Sequence, residues 1–127
     1  MTALVVSDLH LGTRSGLDRL RRDGPRAALA AALDGVDEVV LLGDVVELRE
    51  DPVGRVLATA RPALEALGRA LGSRRRVVLT AGNHDHQVVD AWLDRRRHDP
   101  GAPPLEAEHR MTPAEASPVA AAIAQAL

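Results

Sequence analysis

The chain has 127 residues, of which 46% are hydrophobic and 27% are charged, and its formal net charge is −2. This length and composition suffice for one domain with a core and exclude a chain that is disordered throughout. Because cysteine is absent, disulfides and thiolate metal sites are excluded, and a metal would need histidine, carboxylate or amide ligands. The charge balance argues against sequence-independent nucleic-acid binding. Apolar runs too short for a bilayer and the absence of a signal peptide predict a cytoplasmic protein.

The first predicted element is a short apolar strand over residues 3–6, which we expect to be buried on both faces. Asp8 and His10 follow it, and side chains two apart in an extended segment point to the same side. The pair can therefore converge on one metal ion, although a single D-x-H pattern is frequent by chance. Glycine and proline interrupt residues 13–25, which predicts a loop or frayed turn before a helix over about residues 26–34.

A second apolar strand is predicted over residues 38–42 and leads through a glycine into Asp44 and Glu47. An acidic side chain thus again follows the carboxyl end of a strand. Leucines spaced by three and four residues then predict a helix over about residues 54–71, which Pro62 would kink or divide.

The third predicted strand, residues 77–79, feeds into the densest polar cluster of the chain. This cluster consists of Gly82, Asn83, His84 and Asp85. Loops rarely concentrate this much metal-binding and proton-transfer chemistry directly after a buried strand without a function.

Strands and helices alternate along the chain, which predicts an α/β fold with a parallel sheet built from βαβαβ units. All strand carboxyl ends then lie at one edge of the sheet, where ligands bind in proteins of this class. The three polar clusters therefore share that edge. No glycine-rich phosphate loop follows the first strand, which excludes a nucleotide-binding doubly wound domain.

The three clusters resemble, in order and position, the signature blocks of the calcineurin-like metallophosphoesterases. The blocks are D-x-H at residues 8–10, G-D-x-x-[DE] at residues 43–47 and G-N-H-[DE] at residues 82–85, and together they are more specific than any one alone. The resemblance covers about residues 3–90. It implies the N-terminal half of a two-sheet αββα sandwich and metal-dependent hydrolysis of a phosphate mono- or diester or a pyrophosphate.

The resemblance also implies which side chains hold metal. Asp8 and His10 would bind one ion, Asp44 would bridge two, and Asn83 would bind the second. A bridging carboxylate can hold two cations about 3.5–4 Å apart, and asparagine adds a ligand without adding negative charge beside an anionic substrate. Two divalent ions are therefore expected, with Mn²⁺ first and Fe, Zn or Mg as alternatives.

His84 and Asp85 are the predicted catalytic residues. By resemblance, His84 would lie off the metals and stabilise the phosphate or protonate the leaving group, with Asp85 or a nearby acid orienting it. Asp85 is also a candidate N-cap for a helix over residues 87–97, alongside any catalytic role. Glu47 is expected to shape its loop and not to bind metal directly.

The chain departs from the family pattern after the third cluster. Members of this family carry a lone histidine and then a G-H-x-H element on a second sheet, which complete both metal shells. The later histidines here, His98 and His109, have neither setting and are expected at the surface. We therefore expect a truncated N-terminal half of a longer fold, with a site that is incomplete in this chain. The alternative is a noncatalytic metal-binding or interaction module.

Partners and layout follow from these points. The substrate would be a phosphorylated small molecule or a nucleotide-type compound, with no membrane span and no nucleic acid. Apolar surface left open by a missing second sheet predicts a homo-oligomer or poor solubility. Residues 1–97 are predicted to form the metallophosphoesterase-like half, residues 98–111 a linker, and residues 112–127 a C-terminal helix. Thr112 is the predicted cap of that helix, and Glu115 completes a capping box.

Overall fold

The computed structural model describes residues 1–73, 75–107 and 109–127. Within these ranges three strands, β1 (Ala3–Val6), β2 (Glu38–Leu42) and β3 (Arg76–Thr80), form one parallel sheet in the order β1-β2-β3. In this register, Val5 lies opposite Val40, which lies opposite Val78. The sheet confirms the predicted alternation of strands and helices and the parallel α/β class.

Five α-helices and one short 3₁₀ helix are present in the described residues. They are the 3₁₀ helix Arg19–Arg21, α1 (Asp23–Ala32), α2 (Val53–Leu71), α3 (Gln87–Arg97), α4 (Pro113–Ala116) and α5 (Pro118–Ala126). None of the helices in these ranges combines the length and the apolar character that a membrane crossing requires.

Helix α1 begins three residues before the predicted start near residue 26, so that prediction is wrong. Gly24 and Pro25 lie inside its first turn, where they are tolerated because the first N–H groups of a helix have no intrahelical acceptor. Helix α2 matches its predicted range, and Pro62 lies on its exposed side without ending it.

The two faces of the sheet differ in burial. Val39 and Leu41 of β2 are almost fully buried and share one core with Val56 of α2. On the opposite face Val5 is 55% exposed and Leu42 is 52% exposed. The expectation that the first strand is buried on both faces is therefore wrong, because two right-handed crossovers in the strand order 1-2-3 place both helices on the same face.

The C-terminal segment contains two helices where the sequence predicted one over residues 112–127. The predicted capping box of Thr112 and Glu115 is present at the start of α4. Ser117 then adopts an extended backbone, accepts a hydrogen bond from the amide of Ala120, and so begins α5. Its hydroxyl also donates to the carbonyl of Val88 (2.9 Å), which fastens both helices to α3.

Candidate metal centre

Three loops meet beyond the carboxyl ends of the strands, and we call them the rim (residues 7–12, 43–48 and 81–86). The first two are joined by backbone hydrogen bonds, which run from the amide of His10 to the carbonyl of Asp44 and from the amide of Leu11 to the carbonyl of Val45, both 2.9 Å long. The amide of Glu47 returns to the carbonyl of Leu11 at the same distance. Parallel pairing therefore continues past the strands and fixes the two loops against each other.

The third loop is joined to the second through the carboxylate of Asp85, which is fully buried. One oxygen accepts from the amides of Asp44 (3.1 Å) and Gly82 (2.7 Å). The other accepts from the amides of Val45 (2.7 Å) and Val46 (3.4 Å). Asp85 is therefore an internal anchor for the polypeptide backbone of the rim.

The structure corrects the expectation that Asp85 caps α3. The N-cap residue of that helix is His86, and its side chain makes no capping hydrogen bond. A carboxylate can accept several hydrogen bonds at once, and the four amides of the rim offer more partners than the end of one helix.

Glycine is required where the second and third loops approach each other. A Cβ atom on Gly82 would lie 2.2 Å from Oδ1 of Asp44, and one on Gly43 would lie 3.0 Å from Cα of Gly82. The same Oδ1 atom of Asp44 accepts a hydrogen bond from the amide of His84 (2.8 Å). The glycines of the second and third sequence blocks therefore bring Asp44 into contact with the loop that carries His84.

Asp8, His10 and Asp44 adopt left-handed backbone conformations, with φ values of 55°, 44° and 52°. They are the non-glycine residues with positive φ in the described part of the chain. Such conformations cost on the order of 1–3 kcal/mol each and cluster at functional sites. The expectation that Asp8 and His10 lie in an extended segment is wrong, yet Oδ1 of Asp8 still lies 3.8 Å from Nε2 of His10.

These three residues form the first group of candidate metal ligands. One ligand atom of each lies within 4.8 Å of the others. Asp8 is exposed, His10 is partly buried and Asp44 is 8% exposed, so the group extends from the surface into the protein. Asn83 is exposed in the third loop, beside His84. Two carboxylates, an imidazole and an amide suit harder or borderline divalent cations.

Glu47 connects two histidines of the rim. Its Oε2 atom lies 3.0 Å from Nδ1 of His10 and 2.6 Å from Nδ1 of His84, and its side chain is only 4% exposed. Oε1 accepts from the amide of Arg49 (3.1 Å), which agrees with the expected role of Glu47 in shaping its loop. The acid that contacts the His84 ring is therefore Glu47, whereas the carboxylate of Asp85 faces backbone amides.

The comparison with known families adds an independent observation. A family model described as calcineurin-like phosphoesterase matches residues 1–118 of the 127-residue chain. The chain belongs to the calcineurin-like phosphoesterase family. This match confirms the resemblance that the three sequence blocks indicated. No curated protein and no solved structure matches the chain significantly.

In this chain the three sequence blocks are also the three loops of the rim. A second group of candidate ligands, His10, Glu47 and His84, overlaps the first because His10 belongs to both. Sequence reasoning missed the contact of Glu47 with the two rings. The signal for it was the acidic residue at the end of the G-D-x-x-[DE] block, which the parallel topology places near the other two blocks.

A further set of contacts links residues 13 and 14, directly after the first loop, to residues 50 and 51, which precede α2. Glu50 accepts from the amide of Arg14 (2.8 Å) and the hydroxyl of Thr13 (2.9 Å), and these hydrogen bonds lower the pKa of the Glu50 carboxyl. The guanidinium of Arg14 donates to Asp51 (3.2 Å). This hydrogen bond, with the attraction between the two opposite charges, lowers the pKa of Asp51 and raises the pKa of Arg14. Both carboxylates therefore favour their ionised forms.

Proposed function

We propose that this chain is a cytoplasmic, dinuclear metallophosphoesterase that hydrolyses a phosphate mono- or diester or a pyrophosphate. The substrate would be a phosphorylated small molecule or a nucleotide-type compound. The observation that carries the proposal is the convergence of donor atoms from Asp8, His10 and Asp44 within 4.8 Å, in a chain of the calcineurin-like phosphoesterase family.

The donor set fits divalent metal ions, with Mn²⁺ as our first assignment and Fe, Zn or Mg as alternatives. Asp8 and His10 would hold one ion, Asp44 would be shared by two, and Asn83 would hold the second. Such ions supply positive charge beside the phosphoryl oxygens and lower the pKa of water. Asp44 suits the shared position because its carboxylate lies near the ligand atoms of Asp8 and His10 in the first loop and accepts from the amide of His84 in the third.

His84 is the proposed general acid. Its Nδ1 atom faces the carboxylate of Glu47 at 2.6 Å, so its other nitrogen remains to hold a proton for the oxygen of the leaving group. Its side chain is 30% exposed, which leaves the ring accessible from solvent.

The sequence placed Asp85 among the catalytic residues. Here we propose that it positions other residues of the site. Its buried carboxylate accepts from amides of the second and third loops. Asp85 would therefore keep Asp44 and His84 in register without touching the substrate.

A noncatalytic metal-binding or interaction module is the second candidate function. Four protein ligands, Asp8, His10, Asp44 and Asn83, are few for two ions. The open sheet face, where Val5 and Leu42 are about half exposed, offers apolar surface to a second copy of the chain or to another protein.

Hydrolysis of bis-p-nitrophenyl phosphate and p-nitrophenyl phosphate with added Mn²⁺ tests the proposal, together with Mn²⁺ binding by calorimetry. The wild-type chain is compared with Asp44→Asn and with a control, Asp94→Asn, which changes an exposed carboxylate on α3. A site that works in this chain predicts turnover in the wild type and the control and a loss of at least about 100-fold in Asp44→Asn.

The outcomes separate the two candidate functions. Saturable Mn²⁺ binding that Asp44→Asn abolishes, without turnover of either ester, would support the noncatalytic module. A folded wild-type chain that neither binds Mn²⁺ nor hydrolyses the esters would exclude both the enzyme and the metal-binding module. Turnover that is equal in wild type and Asp44→Asn would remove Asp44 from the site.

A further inference from the structure

A cavity of about 560 Å³ lies between the outer edge of β3 and the C-terminal helices. We call it the edge groove, and its apolar lining includes Val77 and Leu79 of β3, Val88 of α3, and Ala120 and Ile123 of α5. Ligand pockets commonly have volumes of about 300–1,000 Å³ and combine an apolar lining with a few polar groups. None of the described residues that line the groove belongs to the rim, so it is a separate candidate binding site.

The strand that borders the groove has one unpaired edge. Within the described residues β3 pairs with β2 alone. The amide of Arg76 donates to the carbonyl of Asp37 (3.3 Å), next to β2, and successive residues of a strand direct their backbone groups to opposite edges. The N–H and C=O groups of Val77 and Leu79 therefore face away from β2, where no described residue bonds to them. Such an edge is a template for a further strand.

A guanidinium, that of Arg75, also lines the groove and is held in place by carbonyl groups. Its Nε atom donates to Val36 (3.0 Å), and Nη1 donates to Ala70 (2.7 Å) and Leu71 (2.8 Å). These contacts use three of the five N–H donors of a guanidinium, and Nη2 has no acceptor in the part of the chain that the structure describes. A fixed guanidinium with free donors is suited to bind a carboxylate.

The charged side chains of the groove favour an anionic partner. Arg75, Arg76 and Arg110 line it, whereas none of its described lining residues is aspartate or glutamate. Arg76 is already paired with Glu38 (3.1 Å), but Arg75 is held by neutral carbonyl groups that do not neutralise its charge. A carboxylate therefore complements the groove, and a basic group would be repelled from it.

We propose that the edge groove binds an extended, acidic peptide segment of another protein as a fourth strand of the sheet. The peptide backbone would bond to Val77 and Leu79, alternate apolar side chains would enter the groove, and a carboxylate would reach Nη2 of Arg75. In such complexes backbone hydrogen bonds supply affinity, and pockets for alternate side chains supply specificity. A small apolar molecule would leave the strand edge unused. The proposal does not depend on metal binding or hydrolysis at the rim.

A synthetic peptide tests this site on the full chain. The test ligand has six residues and blocked ends, with a glutamate at each end and alternating valine and threonine between them. Either strand direction then places a carboxylate near Arg75. In a ¹⁵N–¹H NMR titration we expect the amide signals of Val77 and Leu79 to shift, and at saturation their hydrogen exchange should slow at least about 10-fold. The amide signal of Asp44 in the rim should stay unchanged.

Two matched peptides separate the charge from the backbone contacts. Replacing both glutamates by glutamine should weaken binding at least about 10-fold, because hydrogen bonds between charged groups are roughly twice as strong as neutral ones. Methylation of all backbone nitrogens removes the donors of the added strand and should also weaken binding at least about 10-fold.

The protein variant is Ala124→Glu. Ala124 is exposed on α5 and lines the groove, so a carboxylate there should repel the acidic peptide and weaken binding at least about 10-fold without unfolding the chain. The matched control is Ala114→Glu, at an exposed position of α4 outside the groove lining, which should bind the peptide like the wild type. Arg75→Lys keeps the charge but loses the planar fork and should also bind more weakly.

Three outcomes would overturn the proposal. In the first, the Val77 and Leu79 signals of the folded wild-type chain do not respond to about 1 mM peptide. In the second, the glutamate and glutamine peptides bind equally well. In the third, both amides become protected without peptide as the chain concentration rises, and sedimentation shows a dimer. That result would assign the edge to a second copy of the chain.

Discussion

The rim and the C-terminal helices are held together in opposite ways. The hydrogen bonds that define the rim join residues far apart in sequence, such as Asp85 with Val45 and Glu47 with His84. The bonds that define α4 and α5 span three residues, from Thr112 to Glu115 and from Ser117 to Ala120. Local contacts form with little loss of chain entropy, whereas long-range contacts require the sheet to be in place.

This difference shows where the geometry of the candidate site comes from. Asp8, His10 and Asp44 keep unfavourable backbone conformations that their own residue types disfavour. Hydrogen bonds to neighbouring loops hold these residues in place: the amides of Asp8 and His10 donate to carbonyls of the second loop, and the amide of Asp44 donates to Asp85. The rim is therefore a property of the complete sheet, while the caps of α4 and α5 are properties of short segments.

Removing the anchor of the rim should have the largest effect. Asp85→Ala would leave the buried amides of Asp44 and Val45 and the partly buried amide of Gly82 without this acceptor. We expect the free energy of unfolding in urea to fall by roughly 3–5 kcal/mol, since each buried unsatisfied amide costs about 1–3 kcal/mol.

The control for this change is Asp94→Ala, which removes an exposed carboxylate that pairs with Arg97 on the surface of α3. It should cost less than about 0.5 kcal/mol. A loss below about 1 kcal/mol in Asp85→Ala would mean that the rim does not depend on this carboxylate, and the contrast with the C-terminal helices would disappear.

A smaller effect is expected at the C-terminal helices. Ser117 is 2% exposed, and Ser117→Ala would remove the acceptor of the Ala120 amide and the donor to the Val88 carbonyl. We expect a loss of about 1–2 kcal/mol in urea unfolding, with faster hydrogen exchange at Ala120. Hydrogen exchange at the Asp44 amide should become faster only to the extent that the free energy of global unfolding falls.

Thr112→Ala provides the comparison within the same segment, because Thr112 caps α4 at an exposed position. Its loss should be smaller, about 0.5–1 kcal/mol. If Thr112→Ala costs more than Ser117→Ala, the contact of Ser117 with α3 does not hold the two helices in place.

The extent to which each region could be predicted follows the same division. The capping box of Thr112 and the apolar strands are local patterns, and the structure confirms them. The sequence also placed the three polar clusters at one edge of the sheet, because parallel topology requires it. The break at Ser117 was missed, although Ser117-Pro118 repeats the cap-and-proline pattern of Thr112-Pro113.

The contacts inside the rim could not be derived from local patterns. Once topology brings Asp44, Glu47 and Asp85 together, the sequence does not state which carboxylate faces His84 and which faces backbone amides. That choice is set by the geometry of the loops, which includes positive φ values at Asp8 and Asp44. Such values are uncommon for residues other than glycine. The structure assigns Glu47 to the ring and Asp85 to the backbone.

The smallest predicted effect concerns the outer contact, in which Thr13 and Arg14, directly after the first loop, bind Glu50 in the segment that precedes α2. Hydrogen bonds from the Arg14 amide and the Thr13 hydroxyl lower the pKa of Glu50 in the folded chain. A carboxyl whose pKa is lowered on folding stabilises the folded state above its unfolded pKa, and this contribution is lost as pH falls through the lowered folded value. The contact should therefore be intact at neutral pH and should weaken from about pH 5 downward.

The ¹⁵N–¹H signal of Arg14 reports this contact, because its amide donates to Glu50. In the wild type we expect an acid transition with a midpoint below the usual range for glutamate, and Glu50→Gln should remove that transition. Glu65→Gln changes an exposed carboxylate on α2 and should leave it in place. A wild-type midpoint at or above the usual range would show that Glu50 gains nothing from Arg14 and Thr13. The stable geometry of the rim would then rest on the Asp85 contacts and the backbone bonds between the first two loops, without support from this outer contact.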